Sequence, residues 1–252
     1  MSTELREGVP DGWESLHAFD RHSTGYVTGW GSDPLARVLR ARVLAVCARE
    51  FAVGSRVLEL GCGPGIDAQV LEGLGLRVTA LDASRGMVEQ ARRRVSNVLH
   101  LSMERLELLG EGDFDGAFSN FGALNCVAEP AVVGAGLAAV VRPGARVVLV
   151  YMGPRCLAED IALALRGRLP RRRDGPVALE GASVRVRYLT AQAVEAAFPA
   201  FRVLRREALG LLVAPPDLGG RPGRRTRVEP ALAGLPVLRD LGDHQLMVLE
   251  RR

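Results

Sequence analysis

From Arg56 onward, short apolar runs alternate with longer stretches in which apolar positions recur every three or four residues. The runs Arg56–Leu60, Arg77–Leu81, Val98–Leu101, Phe114–Ser119 and Arg146–Met152 have the length and the Val/Leu content of buried strands. Between or after them, Ile66–Leu74, Ser84–Val95, Glu129–Val141 and Thr190–Phe198 read as helices. This alternation predicts βαβ units on a mostly parallel sheet. Two late strands, Phe201–Val213 and Gln245–Glu250, follow without a helix-length segment required between them. Ahead of the first strand, residues 1–55 contain one predicted helix, Pro34–Ala52.

The pattern breaks twice. Residues 153–187 lie between the fifth strand and the next helix, and residues 215–242 precede the last strand. Gly219-Gly220 and Pro222-Gly223 make the second break read as loop. Both insertions leave from the carboxyl ends of strands, the edge where open parallel sheets bind ligands.

Composition narrows the class. A chain of 252 residues, 48% hydrophobic and 25% charged, supports one substantial core with small appendages, so residues 1–252 are read as a single domain. Its first ten residues carry Glu4, Arg6 and Glu7 without an apolar core, unlike a secretory signal. The apolar stretch Ala131–Val141 is too short for a membrane span. Cys47, Cys62, Cys126 and Cys156 are scattered without a C-x-x-C pair, which points to reduced thiols, a cytoplasmic setting and no metal site. The net charge is +4, and every basic residue is arginine. The runs Arg171-Arg172-Arg173 and Arg224-Arg225 lack interleaved aromatics, so solvated surface is the favoured reading and nucleic acid the lesser one.

The first strand ends in Glu59 and runs into Gly61-Cys62-Gly63-Pro64-Gly65. A dinucleotide loop reads G-x-G-x-x-G with the pyrophosphate on the helix N-terminus. Here the third glycine comes one residue early, and Ile66 stands where that pattern wants glycine. A carboxylate at Glu59 repels a pyrophosphate and attracts an ammonium group. The segment resembles motif I of the class I S-adenosylmethionine-dependent methyltransferases, E/D-x-G-x-G-x-G, and matches each defined position, as in the small-molecule, type 11 and 25 branch.

That resemblance implies a Rossmann-like α/β fold: a seven-stranded, mostly parallel sheet with an antiparallel last strand, helices on both faces, and lid or cap insertions. It implies S-adenosylmethionine as cofactor, held by Glu59, Gly61, Cys62, Gly63 and Gly65. Asp82, at the end of the second strand, would take the ribose hydroxyls, with Ala83 and Met87 lining the adenine. Ser102, Met103 and Glu104 fall where the family surrounds the adenine; an ordinary helix start explains Glu104 equally well. Ser102 departs from the acidic residue common at that position. Asn120 and Phe121 would flank the sulfonium, and Leu124 would lie under the adenosyl group. In the first 55 residues, read as a lid, Tyr26 is the candidate donor contact within the stretch His17, Phe19, Asp20, His22, Tyr26 and Trp30.

An antiparallel last strand would start at the ligand edge and bring Asp243 and His244 there. His244 is the first candidate general base, Asp243 its partner, and His22 the second candidate. Neither D/N-P-P-Y/F nor a Pro-Cys nucleophile is present, which disfavours nucleic-acid methylation. The expected activity is in-line methyl transfer to a small, secondary-metabolite-like acceptor. RNA methylation and a catalytically silent donor-binding subunit are the alternatives. Oligomeric state stays open, a homodimer included.

Overall fold

The computed structural model describes residues 18–20, 23, 25, 29–110, 112–179 and 182–252. Helix α1 (Pro34–Glu50) starts where Asp33 accepts the amides of Leu35 and Ala36 at 2.8 and 2.9 Å, with Pro34 in the first turn, where its missing N–H costs nothing. Strands and helices then alternate: β1 (Arg56–Leu60), α2 (Ile66–Gly73), β2 (Arg77–Asp82), α3 (Arg85–Ala91), β3 (Val98–His100), β4 (Phe114–Ser119), α4 (Pro130–Val140) and β5 (Val141–Tyr151). After β5 come α5 (Leu157–Ala164), the hairpin β6 (Gly175–Leu179) and β7 (Ala182–Val186), then α6 (Ala191–Ala197) and β8 (Phe201–Leu209). A short helix α7 (Arg224–Val228) precedes β9 (His244–Arg251).

The main sheet has seven strands in the order β3-β2-β1-β4-β5-β9-β8. Pairings among β1 to β5 are parallel, and β9 is antiparallel to both β5 and β8. One apolar layer joins α1, α2 and α3 to the sheet through residues such as Leu39, Val43, Leu71, Val78 and Val88. The other joins α4 and α6 through Leu58, Leu137, Val147, Val194 and Met247. The expected fold class and strand identities hold. Strand β5 starts earlier than the pattern indicated, because Val141 pairs with Phe114 before the chain bulges through Arg142-Pro143-Gly144 and rejoins at Arg146.

The two insertions are ordered structure that hydrophobic periodicity did not reveal. Residues 153–187 supply α5 and a separate two-stranded sheet. Val184 and Val186 of that hairpin pack with Ala18, Phe19, Cys126 and Met152, so the N-terminal segment, the hairpin and the loop after β4 share one small core. Residues 215–242, expected as loop, fold into short helical turns. Leu232, Leu238 and Leu241 pack there with Ala208, Leu211 and Leu157. Glu229, fully buried, accepts the amides of Gly210 at 2.9 Å and Leu212 at 3.1 Å and pairs with Arg42 of α1. A buried carboxylate with that many donors fixes the insertion to the end of β8.

Asn125 ties the loop after β4 to both neighbours. Its amide donates to the carbonyls of Met152 (2.8 Å) and Arg187 (2.6 Å), and its Oδ1 accepts from the Met152 amide at 2.8 Å. Asn125→Ala strands three backbone groups and should cost about 2–4 kcal/mol. Urea unfolding measures this, and an unchanged midpoint would show that other contacts hold the junction.

Candidate functional site

Strand β1 delivers Glu59 to the sheet edge, and the chain turns through Gly61–Gly65 into α2. At Gly61 φ is +67°, and a Cβ would stand 2.5 Å from the Ala123 Cβ and 3.0 Å from Met103 Cε. At Gly65 φ is +79°, and a Cβ would meet Ala91 at 3.0 Å. Both positions need glycine for backbone conformation and for space. The loop is pinned to the end of β2: Cys62 donates its amide to Leu81 O at 2.9 Å, and Gly63 to Asp82 Oδ2 at 2.8 Å. Asp82 Oδ1 accepts the Ser84 amide at 2.8 Å. Burial, then the negative charges of Glu59 and Asp82, pushes the Cys62 thiol well up, so it stays protonated and is no nucleophile.

Three carboxylates face this loop. Glu59 is 2% exposed, and its Oε2 is buried without a hydrogen-bond partner among the described residues. Burial, followed by the charges of Asp67 and Asp82, raises the Glu59 carboxyl well above its usual range, against a lowering by Arg40. Asp67, in the first turn of α2, lies 2.8 Å from Arg40 Nε and accepts from Asn120 Nδ2 at 2.9 Å. Burial also raises Asp67 and Asp82. The cleft among Arg40, Gly63, Asp67, Asn120 and Phe121 is narrow, about 30 Å³, roughly the share of one water. Phe121, with φ +46°, is in a backbone conformation that non-glycine residues seldom adopt, and its ring has the Arg40 guanidinium 4.9 Å from its centroid. The cleft's chemistry is set: an excess of buried carboxylate and one orphaned acceptor call for a cationic, hydroxyl-bearing ligand and oppose a phosphate.

Across the Phe121 ring lies a second polar group. His244, at the start of β9, makes an edge-on contact with Phe121 at 5.3 Å between centroids, and its Nδ1 is 3.1 Å from Asp243 Oδ2. Arg172, from the loop between α5 and β6, donates Nε to Glu159 at 2.7 Å, a terminal nitrogen to the Asp243 carbonyl at 2.7 Å, and another to the Asp243 carboxylate. Burial alone would raise Asp243, but the charges and hydrogen bonds of His244 and Arg172 hold it well below the usual carboxylate range. Cys156, Glu159 and Asp243 bring potential metal-ligating atoms within 4.8 Å of one another. Arg172 already balances both carboxylates, and burial pushes the Cys156 thiol up to about 12. The arginine stands where a cation would.

Residues 58–149 match the family model described as a methyltransferase domain. That span covers β1 to β5 with both carboxylate-bearing strand ends. Over that span the chain is similar to a methyltransferase domain. The chain is 33% identical over 162 residues to an S-adenosyl-L-methionine-dependent Diels-Alderase, iccD, of Talaromyces variabilis, covering 59% of this chain and 54% of that protein. It is 35% identical over 140 residues to the demethylmenaquinone methyltransferase of Clavibacter sepedonicus, covering 54% of each. The chain thus spans about half the length of the curated relatives it matches. Among solved structures, 1,6-didemethyltoxoflavin-N1-methyltransferase of Burkholderia thailandensis superposes with a TM-score of 0.60 at 16% identity, covering all of this chain and 93% of that one. At that identity the likeness shows the fold alone.

Within the matched span, Glu59, the glycines, Asp82, Asn120 and Phe121 converge on one sheet edge as expected. Other assignments change. Glu104, placed at the adenine, instead accepts the amides of Ala128 and Glu129 at 3.0 and 3.1 Å and holds the start of α4. Ser102 caps the 3-10 turn that follows it by accepting the Glu104 amide at 3.2 Å, and Met103 packs against the loop at Gly61. Leu124, expected under the adenosyl group, is 1% exposed within the core layer of Leu58, Leu60 and Leu81. Met87 is buried, and Ala83 accepts from His100 Nε2 at 3.0 Å. Tyr26, His22 and His17 lie outside the described residues. Asp20 is described: its carboxylate accepts from Ser84 Oγ (2.7 Å) and the Gly86 amide (3.0 Å), seating the N-terminal segment beside Asp82. Within the Arg171–Arg173 run, read as solvated surface, the Arg172 side chain is 5% exposed and ion-paired.

Arg40, Asp67 and Asn125 carried no role in the sequence reading, and Arg172 carried only that of solvated surface. Arg40 left a trace, a charge beside Leu39 on the apolar face of α1. Asp67 left another, an acid in the first turn after the glycine loop. Asn125 left none.

The residues present fit the cofactor that the methyltransferase domain implies. The orphaned Glu59 Oε2 suits an ammonium group. The Asp82 carboxylate, bound to two amides, retains lone pairs for hydroxyls. The Gly61–Gly65 turn admits backbone approach.

Proposed function

We propose that this chain transfers a methyl group from S-adenosylmethionine to a small-molecule acceptor, a secondary metabolite by class. The observation that carries this reading is the buried, unpartnered Glu59 Oε2 beside the glycine loop, with Asp82 at the neighbouring strand end. When bound, the donor supplies an electrophilic sulfonium methyl. Glu59 would hold its ammonium group and Asp82 its ribose hydroxyls, and Asn120 and Phe121 would flank the sulfonium between them. The chain's main contribution is orientation and exclusion of water. The N-terminal segment acts as a lid, seated by Asp20, and the two insertions act as a cap; the whole is one domain.

His244 is the base for an acceptor that needs one. Ionised Asp243 beside Nδ1 selects the tautomer protonated there, which leaves Nε2 with the lone pair. His22 and Tyr26 keep their proposed roles as alternative base and donor contact. His244→Ala should lower turnover at least tenfold with donor affinity intact; undiminished turnover would remove the base from the mechanism. For the RNA reading, the ion pair with Glu159 withdraws Arg172 from one of its two arginine runs. Among the described residues no helix is long and apolar enough to cross a membrane, and the four free cysteines accord with a cytoplasmic setting.

Calorimetry with S-adenosylmethionine tests the reading. Binding at tens of micromolar or tighter is expected, and its absence overturns the proposal. The fungal relative's name joins the same cofactor to a cycloaddition, so turnover is followed as S-adenosylhomocysteine release, which methyl transfer requires. Tight donor binding without that release, across candidate acceptors, would favour a silent donor-binding role.

A further inference from the structure

Past the end of β8, the chain folds around a groove of about 500 Å³, within the size range of small-ligand pockets. One wall is the turn from Val213 to Gly220, and the other carries Arg221, Arg224 and Arg225. The turn is held by backbone bonds: Leu218 N to Pro215 O at 3.0 Å, Gly219 N to Pro216 O at 2.9 Å, and Gly220 N to Pro215 O at 3.2 Å. A Cβ on Gly220 would fall 1.6 Å from Ala214 O, so the wall closes only with glycine there.

The three arginines differ from the buried ones. Arg40, Arg42 and Arg172 each face a carboxylate. Among the described residues, Arg221, Arg224 and Arg225 make no side-chain hydrogen bond and no ion pair. The acid within the turn, Asp217, is directed to Arg171 at 2.7 Å. Three like charges on one concave wall repel one another until an anion sits among them, and guanidinium groups bind phosphate and carboxylate in a bidentate manner.

The groove adjoins the reactive edge. The Asp243 amide donates to Gly210 O at 3.2 Å. Only two residues of chain, three Cα-to-Cα steps of at most about 11 Å in all, separate Gly210 from Val213.

We propose that this groove holds the anionic group, a phosphate or carboxylate, of the methyl acceptor, whose reacting atom then reaches the Asp243–His244 edge. The assignment rests on the methyl-transfer reading. A small acceptor fits better than RNA. The lining contains no aromatic residue on which a base could stack. Arg221, Arg224 and Arg225 meet at one recess, whereas RNA binding spreads phosphate contacts over a surface.

The test is calorimetry on the full chain at low salt, with inorganic pyrophosphate, citrate and S-adenosylhomocysteine titrated separately. Wild type is compared with the triple variant R221Q/R224Q/R225Q and with R227Q, which alters the same short helix outside the groove. Wild type and R227Q should bind one of the two anions alike, and the triple variant at least tenfold more weakly. The anion preferred names the group, phosphate or carboxylate. S-adenosylhomocysteine affinity and thermal midpoint should match in all three proteins, since the altered side chains are exposed. Equal anion binding by wild type and triple variant, or none by either, overturns the groove. Salt-steep binding of a mixed-sequence RNA oligonucleotide, lost in the triple variant, would also overturn it by assigning the charge to nucleic acid. Absence of S-adenosylhomocysteine binding by wild type would instead count against the donor reading, independently of the anion result.

Discussion

Replacing Arg172 by alanine should destabilise the protein by about 3–5 kcal/mol, the usual cost of stripping the partner from buried charges. Arg172 is the cation that two buried carboxylates share, with side-chain exposures of 5% for the arginine, 2% for Glu159 and 8% for Asp243. Glu159 keeps Arg171 in the variant, and Asp243 keeps His244, so the loss is large without being complete. The pH dependence follows from Asp243. Its carboxyl is held below the ordinary value of 3.8. Its pairing therefore stabilises the fold above about pH 3.8 and is lost as pH falls through the lower folded value. Without Arg172 that depression shrinks, and acid unfolding should begin at higher pH. Urea melts from pH 8 down to pH 2 read both effects. A melt equal to wild type would show that the latch between the first insertion and β9 carries no stability. Restoring stability with the double change R172M/E159Q, which leaves Asp243 and His244 in place, while turnover stays low, would locate the arginine's value in positioning Asp243 and His244.

Glu59→Gln should separate binding from stability in opposite directions. Donor affinity should fall by about a hundredfold, because a charge-assisted bond to an ammonium group becomes a neutral one in a buried place. The ligand-free protein should become more stable by about 1–3 kcal/mol, since a buried carboxylate without a partner, close to Asp67 and Asp82, is replaced by a neutral amide. The sign is fixed by linkage. The folded Glu59 carboxyl is raised above 4.5, so its unfavourable contribution is absent below that pH and grows as pH rises toward the folded value. The stability gap between variant and wild type should therefore open above about pH 4.5. Thermal melts with and without S-adenosylhomocysteine measure the two effects together. A variant that binds the donor normally would remove Glu59 from the site, and one less stable than wild type would mean Oε2 has a partner.

Both changes act on groups whose importance is written differently in the chain. Glu59 was legible because it stands at a fixed offset from glycines whose positive φ and close packing admit nothing larger. Asp82 was legible for a similar reason, as the last residue of the next parallel strand. The alternation of apolar runs predicted β1 and β4 residue for residue and the other sheet strands within a few positions, because strands buried on both faces must be continuously apolar. Glu104 and Leu124 misled because motif offsets specify a place in the loop and not where a side chain turns; one caps α4 and the other fills the core.

By itself, then, the sequence determined the order of the main-sheet strands and the helices that cross between them, the glycine loop and the acidic strand ends, since each depends on backbone conformation or on periodic burial within a few consecutive residues. Tertiary structure alone decided that Arg172 meets Asp243 across 71 positions, that Asn125 joins Met152 and Arg187, and that Arg40 reaches Asp67. A buried arginine and a solvated one are the same letter. Only the folding of distant segments onto one edge, where water is excluded and each charge must find a partner, distinguishes them.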